Sequence, residues 1–189
     1  MKRSILIYAA ICISILFAAC GGNTSINESE ALSVVADYLE AKPEYKVISF
    51  RFGEIKFRGE KDQPELKKYR ILEEAGLISM SLQEEKKRFL SKDSNYVYRI
   101  TLTEKSAPLV ISQSGDKAKV KSANYILDDE KPVNFIKMNE KSVKITVTLK
   151  REETEFYPFD RDKTSNSEFI TKTYKLRLKK DEGWIVTSD

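Results

Sequence analysis

The chain has 189 residues, 33 basic against 29 acidic, a formal charge of +4, two cysteines and no histidine. Without imidazole there is no Ser-His-Asp triad, no Cys-His pair and no histidine metal ligand, and two cysteines cannot form a four-thiolate zinc site. So mild a charge does not mark a nucleic-acid binder, and a hydrophobic content of 41% is enough for a packed core.

Lys2 and Arg3 precede an uncharged run from Ser4 to Ala19, and the small residues Ala18 and Ala19 stand directly before Cys20. That is the layout of an export signal over residues 1–19. As a helix the run would span about 24 Å, short of the roughly 30 Å hydrocarbon core, so a permanent span is the weaker expectation. The segment Leu16-Phe17-Ala18-Ala19-Cys20-Gly21-Gly22 resembles the lipobox of bacterial lipoproteins, with Phe17 where leucine is usual. The resemblance implies that Cys20 becomes the first mature residue, is acylated and holds the protein on a lipid bilayer. Gly21, in place of the aspartate that retains many enterobacterial lipoproteins at the inner membrane, favours the outer membrane. With Cys12 discarded and Cys20 lipidated, the mature chain has no disulfide. A body of about 170 residues buries roughly 70% of its unfolded surface and can stand on packing alone. Stable anchoring takes more than one acyl chain, which the multiply acylated cysteine of that family supplies.

Residues 20–27 read as a flexible tether. Asn27-x-x-Glu30 forms a capping-box pattern, and Ala31, Leu32, Val34, Val35, Tyr38 and Leu39 recur at helical spacing, predicting a helix over Glu28–Ala41. Tyr45 to Phe57 alternates as a strand, interrupted at Gly53. Asp62 is a second candidate N-cap, and Leu66, Tyr69, Leu72 and Ala75 step along one face, predicting a helix from Pro64 to Ala75 that ends on Gly76. Strands are expected at Leu77–Leu82 and Tyr96–Thr103, with a charged stretch from Gln83 to Asp93 between them. The turn-rich seam Ser112 to Lys117 suggests a boundary between an N-terminal α+β part (28–112) and a C-terminal β part (113–189). Beyond it, strands are expected at Lys119–Leu127, Val133–Met138, Val143–Arg151, Phe169–Lys179 and Trp184–Thr187. The fold class is α+β: N-terminal helices with short strands, then an antiparallel meander.

Leu72-Glu73-Glu74-Ala75-Gly76-Leu77-Ile78, a charged hairpin and Tyr98-Arg99-Ile100-Thr101-Leu102-Thr103 resemble the second half of a winged helix over residues 65–110. That resemblance implies Lys67, Lys68 and Arg70 as early recognition-helix residues. Glu73 and Glu74 would repel phosphate, and export would place the protein away from DNA, so no nucleic-acid partner is expected. The closing Lys180-Asp181-Glu182-Gly183-Trp184-Ile185-Val186 is similar to the last strands of cystatin-like and nuclear-transport-factor-like domains, which implies binding of small ligands or partner proteins.

The most regular charge feature lies in the β half. Lys117, Lys119 and Lys121, then Lys144 and Lys150 with Thr146 and Thr148, then Lys175, Arg177 and Lys179 with Thr171 and Thr173, alternate with apolar residues. Period two puts each set on one face of its strand. The default reading is a solvated face blunted against edge pairing. The functional reading makes Lys119, Lys121, Lys144, Lys150, Lys175 and Arg177 a surface for anionic lipid or acidic glycan. The loop Phe156-Tyr157-Pro158-Phe159-Asp160 is either an exposed partner contact through Phe156, Tyr157 and Phe159 or a satellite of the core. Acidic residues cluster at Asp128–Glu130, Glu152–Glu155 and Asp160/Asp162, none with calcium-loop spacing. No metal, cofactor or catalytic residue is assigned. The expected role is a membrane-anchored, non-enzymatic cell-envelope binding or scaffolding module with an envelope protein, anionic lipid or glycan as partner. The alternatives are a carboxylate-dependent envelope hydrolase and, remotely, a winged-helix nucleic-acid binder.

Overall fold

The computed structural model describes residues 25–87, 94–131, 133–162 and 167–188. The signal segment, Phe17, Cys20 and most of the tether lie outside the described residues. The chain divides into two units. The larger takes Ala36–Pro132 and Val147–Lys172; the smaller takes Val133–Thr146, Thr173–Asp189 and the chain up to Val35.

Helix α1 (Glu28–Ala41) occupies the predicted range. Its capping box closes in both directions. The Glu30 amide donates to Asn27 Oδ1 at 2.9 Å, and the Asn27 amide donates to Glu30 Oε2 at 3.0 Å. Two otherwise orphaned donors are thereby satisfied.

In the larger unit, β1 (Glu44–Arg51) pairs antiparallel with one edge of β6 (Lys117–Leu127). β5 (Val110–Ser114) pairs with the first half of β6 and the end of β8 (Ser142–Glu153) with its second half. The seam anticipated as a boundary is the β5–β6 hairpin, turning at Gly115 with φ +58°, inside this unit. A register shift at Lys46/Val47 leaves Ser122 as an extra residue in β6. Ser122 and Ala123 are consequently both buried, and the outward set changes parity there.

A second sheet has the order β2 (Gly53–Arg58), β4 (Ser94–Leu102), β3 (Ile78–Lys87). Helix α2 (Gln63–Glu74) lies between β2 and β3 in sequence and contacts both. Asp62 precedes α2 but does not cap it. Its carboxylate is taken by Arg58, through the backbone amide at 2.8 Å and Nε at 2.9 Å. The helix ends as expected at Gly76, φ +75°, where the amides of Gly76 and Leu77 return to the carbonyls of Glu73 and Leu72.

The core of this unit is aromatic at its centre. Phe50 meets Phe156 and Phe159 at 5.0 Å each, and Tyr69 meets Phe159 at 4.9 Å, all tilted toward edge-on geometry. Such pairs add about 0.5–1.5 kcal/mol each beyond the area they bury. Leu66 and Leu72 of α2, Ile78 of β3, Ile100 of β4 and Val120 of β6 belong to the same cluster.

In the smaller unit, β7 (Asn134–Asn139) pairs with the start of β8, and β10 (Gly183–Ser188) pairs with the end of β9 (Phe169–Lys179). The start of β8 is bound to the end of β9 as well. Thr146 and Thr173 hydroxyls meet at 2.8 Å, and the Leu178 amide donates to the Lys141 carbonyl at 3.0 Å. Both contacts fix one antiparallel register, in which Lys144 stands opposite Lys175 and Ser142 opposite Arg177. Val143, Ile145, Tyr174 and Leu176 are fully buried on the other face. Among the described residues no helix is long and apolar enough to cross a membrane.

Candidate functional site

The alternation anticipated for the β strands is present, because Val, Ile and Leu on successive odd positions of β8 are buried while Lys144 and Lys150 are exposed. Within the larger unit it does not group the cations. Lys119 lies between Ser49 and Ser112 near one end of β6, whereas Lys150 stands opposite Ile126 near the other. At 3.3 Å per residue they are roughly 20 Å apart. Lys121 is half-buried and lies over the Tyr45 ring at 5.0 Å, so its charge is partly engaged by a π face.

The smaller unit does gather its cations. Register places Lys144 and Lys175 side by side on adjacent strands, with Arg177 two residues further along the same face of β9. Ile136 is opposite Lys144 on β7, and Ile185 is opposite Arg177 on β10. Like charges directly opposite destabilise a sheet. Among the described residues, none of Lys141, Lys144, Lys175 and Arg177 has an ion-pair partner, whereas Lys179 beyond them is paired with Glu182 at 3.1 Å. Ile136 and Met138, 47% and 52% exposed, border the cations with apolar surface.

At the β7–β8 turn a recess of about 320 Å³ opens beside Arg177 and Lys175, lined also by Met138, Asn139, Lys141, Ser142 and Leu178. Nothing in the sequence alone marks Asn139, Lys141 and Ser142 as a site. The run Asn139-Glu140-Lys141-Ser142 signals only a turn, and the approach of β9 that makes it a site is a long-range fact.

The aromatic loop takes the core alternative for two of its three rings. Phe156 is fully buried and Phe159 is 8% exposed, so neither projects as an exposed partner contact. Thr154 holds the loop by donating its hydroxyl to the Lys121 carbonyl at 2.7 Å. Tyr157 remains half-buried, with the Arg151 guanidinium 4.9 Å from its ring.

Phe159 and Tyr69 line a second recess, of about 200 Å³, in the larger unit, rimmed by Arg51, Lys56 and Arg161 and by the acids Asp62 and Glu65. Tyr69 is held by donating to the Arg51 carbonyl at 3.0 Å, and burial pushes its phenol well above the usual range. The acids here are committed to cations. Arg58 holds Asp62 below the usual carboxylate range, and Lys68 lies 3.2 Å from Glu65. Asp160 is likewise spent: Lys46 reaches it at 2.7 Å, and the bond raises the lysine's own pKa. For Asp62, service as a glycoside-cleaving general acid would need the opposite shift, toward neutral pH. No group of three or more potential metal ligands occurs among the described residues.

On α2, Arg70 is paired with Glu73 at 2.6 Å and Lys68 with Glu65, so two of the three cations that a recognition helix would offer to phosphate are neutralised within the helix. Comparison with protein-family models, with curated proteins and with solved structures finds no match.

Proposed function

We propose that this chain is an exported lipoprotein, anchored to the cell envelope through acylated Cys20, and that its body is a non-enzymatic binding module for an anionic partner. The observation that carries the binding half is the grouping of Lys144, Lys175 and Arg177 on one sheet face without ion-pair partners among the described residues. Three uncompensated cations bordered by Ile136 and Met138 suit a surface that is negatively charged and partly apolar, as an anionic lipid interface is. The anchoring half rests on the sequence around Cys20. By that reading the outer membrane is the favoured location.

Two measurements on the whole protein test the halves separately. Metabolic labelling with a palmitate analogue should mark the wild type and not Cys20→Ala; an unlabelled wild type overturns the anchor. Pull-down from detergent-solubilised envelope should enrich an anionic partner with wild type and lose it with Lys144→Glu/Lys175→Glu. Equal recovery by the two overturns the assignment of the face.

A further inference from the structure

The recess at the β7–β8 turn carries a more specific ligand chemistry, which rests on the anionic-partner reading above. Ser142 is 7% exposed, and its Oγ is buried without a hydrogen-bond partner among the described residues. A buried hydroxyl left unpaired is costly, and such groups are uncommon in folded proteins. Serine also departs here from the alternation that would put a lysine or threonine on this face, as at Lys144 and Thr146. Arg177 stands directly opposite Ser142 on β9, and Lys175 lies on the same face one pleat away. Lys141 and Asn139 add polar lining from the turn, and Met138 and Leu178 add apolar lining. Asn139 is already oriented, because its Oδ1 accepts the Lys141 amide at 2.9 Å, which leaves its amide nitrogen to donate.

The charged and polar side chains lining this recess can each donate a hydrogen bond, and no carboxylate lines it. Glu140, in the same turn, is exposed and is not part of the lining. The residues that line this small volume carry a guanidinium fork, two ammonium groups, an amide and a hydroxyl, a donor set that matches a tetrahedral oxyanion, whose several acceptor oxygens can use them together. We propose that this recess binds the phosphate group of a phosphoester. The hydroxyl of Ser142 is the donor that ties the phosphate to the floor, and Arg177 is its bidentate partner. A phospholipid headgroup and a soluble glycerol phosphate share this chemistry.

The test uses the full chain in nonionic detergent micelles and reads phosphorus NMR shifts on titration with glycerol phosphate. A second arm uses the same micelles doped with phosphatidylglycerol. Wild type should show saturable binding in at least one arm, weakened tenfold or more by Ser142→Ala and by Arg177→Gln. Ser142→Ala should melt no lower than wild type, since it removes an unpaired buried hydroxyl rather than a bond. Binding in the first arm identifies a soluble phosphoester, and binding only in the second identifies a headgroup; either supports the site. Salt-sensitive attraction to doped micelles that is indifferent to Ser142→Ala overturns the phosphate site and leaves the cationic face standing. No response of the wild type in either arm overturns both.

Discussion

Tyr69 shows how one side chain can serve packing and polarity together. Its ring contacts Phe50, Phe57 and Phe159, while its hydroxyl reaches the Arg51 carbonyl. Because burial raises its folded-state pKa, Tyr69 stays protonated in the fold at a pH where the unfolded chain ionises. Its contribution is fully present below the unfolded value of about 10 and is lost as pH climbs from there toward the folded value. Lys46, also raised, acts in the same direction, so the comparison must be made against a variant. Urea unfolding from pH 9 upward should show wild-type stability falling more steeply than that of Tyr69→Phe, which at neutral pH should be less stable by about 1 kcal/mol. Parallel pH profiles would contradict this. The aromatic loop divides in the same spirit. Phe156→Ala, at a fully buried site, should cost about 3–5 kcal/mol. Tyr157→Ala should cost less, because its ring is only half-buried. Equal losses in thermal or urea melts would contradict the placement of the two rings.

Among the elements, the sequence is legible where the physics is local. The Asn27–Glu30 capping box and the Gly76 terminus depend on residues within one turn, and both helices formed where those residues stand. Asn27→Ala should therefore lower stability by about 1 kcal/mol, measured by denaturant midpoint; an unchanged midpoint would show that the cap contributes nothing. Asp62 escaped the same logic, because an equally local competitor, Arg58, presents both a backbone amide and a guanidinium to its carboxylate. Strand alternation was also legible, since Val and Ile at period two identify a buried face without knowledge of neighbours. The neighbours themselves were not. The bulge at Ser122, the separation of Lys119 from Lys150 and the opposition of Lys144 to Lys175 are register facts, which depend on which strand pairs with which. Ser142 belongs with them: as a serine after a lysine at a turn it looks unremarkable until β9 is laid beside it.

For the whole molecule, the chain has no histidine, the acids of the Tyr69 recess are ion-paired, and no group of three or more potential metal ligands occurs among the described residues; the cation group of the smaller unit therefore carries the binding proposal. The gathering of Lys144, Lys175 and Arg177 costs electrostatic self-repulsion in the isolated protein, and an anionic partner would relieve it. A lipid anchor would hold the body near the bilayer, where each lysine or arginine close to an anionic surface is worth about 1 kcal/mol. The decisive quantity is the affinity of the full chain, in nonionic micelles, for phosphatidylglycerol doped into them, followed as salt rises from about 0.05 to about 0.5 M, across which screening lengths fall several-fold. The wild type should bind and weaken steeply with salt, and Lys144→Gln/Lys175→Gln should lose about thirtyfold at the low-salt end, the equivalent of two surface charges. Binding that ignores both salt and the double substitution would contradict the account.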